Sequence, residues 1–276
     1  MKSNFDFPNR YWPALAQIGA TAETYVYSDP NACIYKLGMF AERLVQEILA
    51  FEHIAEPAVD NTHANRIRIL KRAGLLPHEI DNTLYVLRKT RNSAVHTGTD
   101  SVDEAKTLLS LTYNLAVWFM ETYGDWGYIA PEFVMPSEIT HEDLESVIAE
   151  QEKKIAELTK QLAVVTTAAS GKTQKERAKR SESVSAMMSW NEAQTRCLID
   201  EQLRLSGWEA DTQNLRYSKG TRPVKGRNIA ISEWPTNSAF YKNGYADYAF
   251  FVGEKLVALM DAKKMSEDVA STIDVQ

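Results

Sequence analysis

The sequence is poor in cysteine and has no long apolar run. Its 2 cysteines, Cys33 and Cys197, lie far apart and neither belongs to a Cys-x-x-Cys pair, which excludes a disulfide scaffold and disfavours a Cys/His zinc site. No apolar run approaches the roughly 20 residues that a membrane-spanning helix needs. The first residues also lack the apolar region of a secretory signal. These absences predict a cytoplasmic protein without a membrane segment.

An excess of positive charge is also missing. The net charge is −6, and most of the excess acidity falls in residues 1–140. The whole-chain charge therefore gives no electrostatic case for nucleic-acid binding. An enzyme of this composition that acts on DNA would depend on local basic patches and on a bound metal ion. The 276 residues, 44% of them hydrophobic, are enough for two domains.

The first half of the chain has the apolar periodicity of helices. Between residues 32 and 55, apolar residues recur at three- and four-residue spacing, which indicates an amphipathic helix. Gly74 is a candidate helix end, and Ser101-x-x-Glu104 has the pattern of a capping box at a helix start. Residues 1–140 are therefore predicted to form an all-α helical bundle. Its helices are expected at residues 32–55, at 63–73, from near Pro77, and at 101–123.

The middle of the chain predicts a connector. Residues 141–165 carry apolar residues at alternating spacings of four and three, which is typical of a short coiled-coil seam. Such a seam could pair within the chain or form a homodimer. Residues 166–185 are mainly small and charged and are predicted to be a linker or a frayed helix extension. The sequence thus divides into a bundle (1–140), a coiled coil with linker (141–186) and a C-terminal domain (187–276).

The C-terminal domain combines helix and strand patterns. Asn191 is a candidate N-cap for a helix that Gly207 closes. Aromatic and β-branched residues at 244–252 and 255–263 flank Gly253-Glu254, which predicts a β-hairpin. Another helix is expected from about Ser266. The fold class is therefore α+β, with a helical N-terminal part and a mixed α/β C-terminal core.

The hairpin carries three residues with catalytic potential. Asp261 and Lys263 are two residues apart, so their side chains share one face of an extended strand. An antiparallel partner can bring Asp247 beside them. Carboxylate oxygens are ligands that Mg²⁺ prefers, and a lysine can orient water or offset developing charge. Ordinary surface charges at the ends of a hairpin would explain the same triplet.

Three separated segments resemble a known family. They are Asn191-Glu-Ala-Gln-Thr-Arg196 with Ser206-Gly-Trp208, then Gly244-Tyr-Ala-Asp-Tyr-Ala-Phe-Phe-Val252, then Leu259-Met-Asp-Ala-Lys-Lys264. In this order they resemble the N-terminal nuclease of type I restriction-enzyme R subunits, a branch of the PD-(D/E)xK nuclease superfamily. The resemblance covers about residues 190–276.

The resemblance implies a site and partners. Asp247 and Asp261 would bind Mg²⁺, Lys263 would be the catalytic lysine, and Glu192 would face the site from the preceding helix. Gln276 would correspond to a glutamine on the next helix that is grouped with the DNA-binding residues. Expected partners are double-stranded DNA and the modification and specificity subunits of a restriction complex. R subunits continue into an ATP-driven motor, so the nuclease core is expected to be incomplete here and ATP to act only through a motor outside this chain.

A basic stretch precedes the hairpin. A mobile basic loop there would suit DNA phosphates, and a solvated surface loop is the alternative. The stretch contains no acidic residue between its basic ones, which are Arg216, Lys219, Arg222, Lys225 and Arg227.

The helical half has a motif of its own. Arg91-Asn92 followed by His96 resembles the R-x4-H pattern of HEPN-type helical domains, some of which are metal-independent RNases. The surrounding helices also look like a domain of unknown function found ahead of type I R-subunit nucleases. RNase activity, nucleotide or RNA binding, partner binding and a buried polar cluster all remain open for these residues. A rival to the nuclease reading is an assembly module whose helical half and seam dock a partner.

Overall fold

A computed structural model describes residues 3–56, 59–97, 101–138, 141–158, 168–238 and 241–262. The chain divides into two units, residues 1–189 and residues 190–276. In the described ranges the first unit is helical, and the second combines one α-helix with a four-stranded sheet. The predicted α+β class is therefore confirmed. None of the helices within these ranges has an apolar stretch that could cross a bilayer.

The first unit is built from seven α-helices in its described part. Short 3-10 segments at Phe7–Arg10 and Ala168–Gly171 and a π-helical turn at Met120–Gly124 complete it. The α-helices are α1 (Pro13–Tyr25), α2 (Pro30–Phe51), α3 (His63–Arg72), α4 (His78–Thr97), α5 (Val102–Phe119), α6 (His141–Leu158) and α7 (Gln174–Met187).

Helix α2 is the centre of this unit. It packs against α1, α4 and α5. The apolar residues that predicted it, among them Leu37, Phe40, Leu44 and Ile48, are completely buried. Burying each such side chain contributes on the order of 1.5–3 kcal/mol. The amphipathic pattern thus identified the element that organises the bundle.

The predicted helix ends of this unit are confirmed. Gly74 follows α3 with a φ of +69°, a left-handed conformation that favours glycine over residues with a Cβ. The Ser101 hydroxyl accepts a hydrogen bond from the Glu104 backbone N–H at 3.2 Å, which satisfies one free donor at the start of α5.

The predicted seam contacts its own chain. Helix α6 packs against α1, where Gln151 is within hydrogen-bond distance of Thr24 at 3.2 Å. Lys36 makes an ion pair with Glu152 at 2.6 Å, and Ile155 is buried. The last seam positions, Leu162 and Val165, lie outside the described residues. Within the described part of the seam, pairing is therefore intramolecular, and a homodimer stays a prediction.

Helix α7 is part of the helical unit, although the sequence pattern predicted a linker or a frayed extension there. Arg177 forms a buried ion pair with Glu52, with Nε and Oε1 2.7 Å apart. The indole N–H of Trp118 donates to the Ser181 hydroxyl at 3.2 Å. Polar side chains, rather than an apolar stripe, thus hold α7 against the unit. The sequence of α7 therefore lacks the apolar periodicity that would have predicted a packed helix.

The second unit contains helix α8 (Glu192–Leu205) and strands β1 (Glu209–Ala210), β2 (Asn228–Ser238), β3 (Tyr241–Val252) and β4 (Lys255–Met260). The strand order is β1-β2-β3-β4. Strand β1 runs parallel to β2, and the other neighbours are antiparallel. The hairpin of β3 and β4 is confirmed, and β2 was not predicted. The helix expected from Ser266 lies outside the described residues.

Local signals position α8. The Asn191 side chain accepts a hydrogen bond from the Gln194 backbone N–H at 2.9 Å, and the Asn191 backbone N–H donates to Gln194 Oε1 at 2.9 Å, which completes a capping box. After the helix, Gly207 has a φ of +87°. The predicted cap and stop are thus confirmed.

Two apolar clusters lie on the sheet. In one, Ile199 and Leu203 of α8 pack with buried sheet residues that include Tyr248. In the other, Leu215 and Tyr217 pack with buried sheet residues. Among the described strands, β4 pairs only with β3 and forms an edge of the sheet. Its residues are largely exposed.

Candidate active site

The two predicted metal-binding carboxylates lie side by side in the sheet. Tyr248 of β3 pairs with Met260 of β4. Asp247 therefore lies opposite Asp261, the residue that follows β4. The Asp247 backbone N–H donates to Asp261 Oδ1 at 3.4 Å, and the Ala262 N–H donates to Asp247 Oδ2 at 2.8 Å. The antiparallel register thus brings together the two residues that the sequence separates by a turn.

A third carboxylate, absent from the sequence prediction, continues this row. On β2, Trp234 pairs with Ala246 of β3. The preceding residue, Glu233, therefore lies opposite Asp247. Glu233 has a φ of +53°, a left-handed conformation that is costly for a residue with a Cβ. Glu233, Asp247 and Asp261 thus occupy corresponding positions on β2, on β3 and directly after β4.

Arg196 of α8 contacts three carboxylates. Its guanidinium is 2.9 Å from Asp247 Oδ1, 2.8 Å from Glu192 Oε1 and 3.4 Å from Glu233 Oε1. Its side chain is only 13% exposed. Arg196 is the last residue of the Asn-Glu-Ala-Gln-Thr-Arg segment, and it lies one helical turn after Glu192. That i,i+4 spacing was the available sequence signal for Arg196, while its contact with Glu233 required the fold.

Arg196 and two of its partners, Glu192 and Glu233, line an open cleft of about 410 Å³. Its lining includes Glu192, Arg196, Arg216 and Glu233. The Glu192 side chain is 77% exposed, and its ion pair is with Arg196 rather than with Asp247 or Asp261. Glu192 therefore lines the cleft and is linked to Asp247 through Arg196, and its role at a metal ion stays a prediction.

A buried polar network supports the strand that carries Asp247. The Asp200 carboxylate accepts hydrogen bonds from the Thr212 N–H at 2.7 Å and from the Tyr248 hydroxyl at 3.0 Å. Burial raises the pKa of Asp200 above its ordinary value, and the hydrogen bonds from these donors offset part of that rise. Burial and the nearby Asp200 raise the pKa of Tyr248 well above its ordinary value, so its hydroxyl stays a donor. The network fixes α8 to β3 next to the candidate site.

The basic residues predicted to contact DNA lie between β1 and β2. Arg216 contacts Glu233 at 3.1 Å and so joins the loop to the cleft. Arg222 lies over the Tyr217 ring at 3.7 Å, and Arg227 is paired with Glu209. Apart from Arg216, which is half-buried, the basic side chains are exposed: Lys219, Arg222, Lys225 and Arg227.

The HEPN-like motif is on α4. Arg91 makes an ion pair with Glu42 at 2.6 Å and lies over the Tyr35 ring at 5.1 Å. Asn92 is exposed. The side chain of His96 lies outside the described part of the structure. Arg91 thus has a structural partner, and the catalytic interpretation of this motif stays a prediction.

The donor chemistry of the aspartates suits Mg²⁺, which takes oxygen ligands and needs only one or two protein carboxylates because it keeps several waters. Within the described ranges, no group of three or more His, Cys, Asp or Glu is arranged to hold a metal ion. Asp247 and Asp261 together supply the smaller set. Lys263 and Gln276 lie outside the described residues, so their predicted roles stay predictions.

Known families match two different parts of the chain. Residues 20–175, more than half of the chain, match a domain of unknown function, DUF4145. The chain belongs to the DUF4145 family. Outside that DUF4145 region, residues 209–276 match the second domain of the type I restriction enzyme EcoKI endonuclease subunit.

One curated relative was found by sequence. The Type I restriction enzyme EcoKI endonuclease subunit of Escherichia coli (strain K12) is 29% identical over an alignment of 329 residues. The alignment covers 99% of this DUF4145 chain and 28% of the relative, so the chain spans just over a quarter of the relative's length. No solved structure matches the chain. These matches confirm the resemblance to a type I restriction R-subunit nuclease region preceded by a domain of unknown function.

Proposed function

We propose that the second unit is a Mg²⁺-dependent DNA endonuclease centre of the PD-(D/E)xK type within a type I restriction subunit. The observation that carries the proposal is the placement of Asp247 opposite Asp261 on adjacent strands. That pair falls within the region similar to the EcoKI endonuclease subunit second domain. Their oxygen chemistry and the lysine two residues after Asp261 support a phosphodiester-hydrolysing site.

The residues of the candidate site have distinct roles in this proposal. Asp247 and Asp261 hold the metal ion, and the Ala262 N–H fixes the Asp247 carboxylate through Oδ2. Bound Mg²⁺ supplies charge stabilisation on the scissile phosphate and a water of lowered pKa. Lys263 orients the attacking water and offsets negative charge in the transition state. Glu192 faces the cleft and assists at the water.

The basic loop holds the substrate in the same proposal. Its exposed cations can contact phosphate oxygens of double-stranded DNA without reading sequence. Arg216 connects this loop to the cleft through Glu233. Local cations of this kind offset the net charge of −6, which alone would repel DNA. The target sequence is then set outside this loop, by specificity and modification subunits of a restriction complex.

Cleavage of supercoiled plasmid by the assembled restriction complex tests the nuclease proposal. Asp261→Ala and Lys263→Ala are each expected to reduce Mg²⁺-dependent cleavage by at least about a hundredfold, because each removes a group needed in the transition state. The complete assembly is used because ATP and the motor region are expected to act outside this chain.

The same hairpin offers matched controls. Glu254→Ala and Lys255→Ala remove an acid and a lysine at the turn end, away from Asp261. Both controls are expected to cleave like the wild type. Cleavage that survives unchanged in Asp261→Ala and Lys263→Ala would refute the assignment of this centre.

A further inference from the structure

Arg196 occupies the position where a metal ion would meet Asp247. Both carboxylate oxygens of Asp247 have partners, since Oδ1 contacts Arg196 at 2.9 Å and Oδ2 accepts from the Ala262 N–H at 2.8 Å. A guanidinium keeps its positive charge at any ordinary pH. A divalent ion bound through Oδ1 would therefore lie within a few ångströms of a second cation, which is strongly unfavourable at a half-buried site.

Arg196 has other carboxylates to which it can remain attached. Glu233 Oε1 lies 3.4 Å from one guanidinium nitrogen, and Glu192 Oε1 lies 2.8 Å from another. Of these two, Glu233 is the more firmly placed. Its carboxylate also contacts Arg216 at 3.1 Å and its side chain is 32% exposed, compared with 77% for Glu192.

The backbone at Glu233 supports this role. A φ of +53° is strained for a strand residue with a Cβ, and such strain persists only where surrounding contacts impose it. Here the strained residue presents its carboxylate to Arg196 and Arg216, whereas Trp234, the next residue, packs into the apolar cluster with Phe251.

We propose that Arg196 is the resident counter-ion of Asp247, that the metal ion replaces it there, and that Glu233 retains it after the exchange. Arg196 and Glu233 are then positioning residues, which set how tightly the site binds a divalent cation. The inference rests on the proposed function, because it takes Asp247 as a metal ligand. It adds a competition between Arg196 and the metal ion for Asp247, which the family resemblance did not imply.

Metal binding by the full-length chain, without DNA or partner subunits, tests the exchange. The probe is Mn²⁺, and the readout is the loss of the paramagnetic resonance signal of the free ion during titration. Arg196→Met keeps side-chain length and removes the competing charge. It is expected to bind Mn²⁺ about fivefold more tightly than the wild type, the size expected for losing one partly exposed ion pair.

Glu233→Gln is expected to have the opposite effect. Arg196 loses its alternative partner and stays on Asp247, so Mn²⁺ binding should weaken about fivefold. In the Arg196→Met background the same Glu233→Gln change should have little effect, because no arginine remains to be retained. A double-mutant cycle of the four proteins isolates this coupling. Arg204→Met, which removes an arginine of the same helix that is paired with Glu201 instead, is the charge-matched control and should leave Mn²⁺ affinity unchanged.

The outcomes separate the two proposals. Wild-type binding that Asp247→Asn abolishes supports the metal site, whereas wild-type protein that binds no Mn²⁺ at Asp247 contradicts the proposed function. If Mn²⁺ binds at Asp247 but Arg196→Met weakens binding or leaves it unchanged, the exchange is refuted and the metal site stands. An equal effect of Glu233→Gln in both backgrounds also refutes retention of Arg196 by Glu233. Circular dichroism of each variant establishes that it is folded.

Discussion

At the scale of single residues, the candidate site depends on how charges are shared. Asp247 is neutralised by Arg196, Arg196 is shared with Glu233, and Glu233 is shared with Arg216. The resulting chain of alternating charges runs from Asp247 to the basic loop. A change in any one of these side chains therefore alters the surroundings of its neighbours, which is why single substitutions there need double-mutant cycles.

A single residue in the helical unit predicts how stability varies with pH. Burial lowers the pKa of His63 to about 4, and among the described residues neither ring nitrogen has a hydrogen-bond partner. An unfolded histidine titrates near pH 6.5. Between about pH 6.5 and pH 4 the unfolded chain binds a proton that the folded chain does not, so stability falls as pH decreases through this window, by up to roughly 3 kcal/mol.

Urea unfolding followed by circular dichroism measures this effect. His63→Phe is expected to lose part of the decrease in unfolding free energy that the wild type shows between about pH 6.5 and pH 4.5. His78→Asn, a change at an exposed histidine in the same unit, is the control and should keep the wild-type profile. Identical pH profiles for His63→Phe and the wild type would show that His63 does not titrate in this way.

At the scale of elements, the N-terminal segment before the first helical turn packs closely against α1. Gly19 of α1 lies against Phe5, whose side chain is completely buried and whose ring meets Phe40 edge-on at 5.5 Å. A Cβ added at Gly19 would come within 2.3–2.6 Å of three Phe5 atoms. Phe5 is enclosed and cannot move away without disturbing its neighbours.

Gly19→Ala is therefore expected to destabilise the helical unit. Overpacking costs about 1–3 kcal/mol, and the better helix propensity of alanine recovers up to about 1 kcal/mol of it. Thermal unfolding should show a lower Tm than the wild type. Gly171→Ala is the matched control, since its added Cβ would meet no atom within 4 Å. A Gly19→Ala protein as stable as the wild type would contradict this view of the packing.

The elements that sequence reasoning predicted well are those with local signals. The α8 cap at Asn191, its stop at Gly207 and the turn at Gly253 follow from side-chain chemistry within a few residues. Strand β2 was not predicted because it directly follows a basic loop and part of its sequence is polar. Helix α7 was not predicted as a packed helix because its buried Arg177 pairs with Glu52, a partner 125 residues away. No local pattern contains that information.

The candidate site also contains residues that the sequence predicted and residues that it did not. The spacing of Asp261 after the hairpin predicted its approach to Asp247, and the register confirms that approach. Glu233 could not be found from sequence, because its position beside Asp247 depends on a strand that had not been predicted. For Arg196 the sequence offered only its place in a family-like segment and its i,i+4 spacing from Glu192. Its partners outside α8 are determined by contacts with two strands, β2 and β3.

At the scale of the whole molecule, two units share one chain. The first contains the whole match to the DUF4145 family, and the second is similar to a type I restriction endonuclease subunit domain. The relative is much longer than this chain, so a motor and partner subunits belong to the proposal rather than to the described molecule. The helical unit could assemble with such partners, and an RNase role for Arg91 and His96 remains a separate prediction.

The central claim is that Asp247 and Asp261 bind one divalent metal ion between β3 and β4. Anomalous diffraction from a crystal of this chain soaked in Mn²⁺ measures it directly. The account predicts an anomalous peak bonded to both carboxylates, and loss of that peak in Asp247→Asn. A saturating soak with no peak between these two aspartates, or with the ion held by other residues of the second unit, would contradict the account.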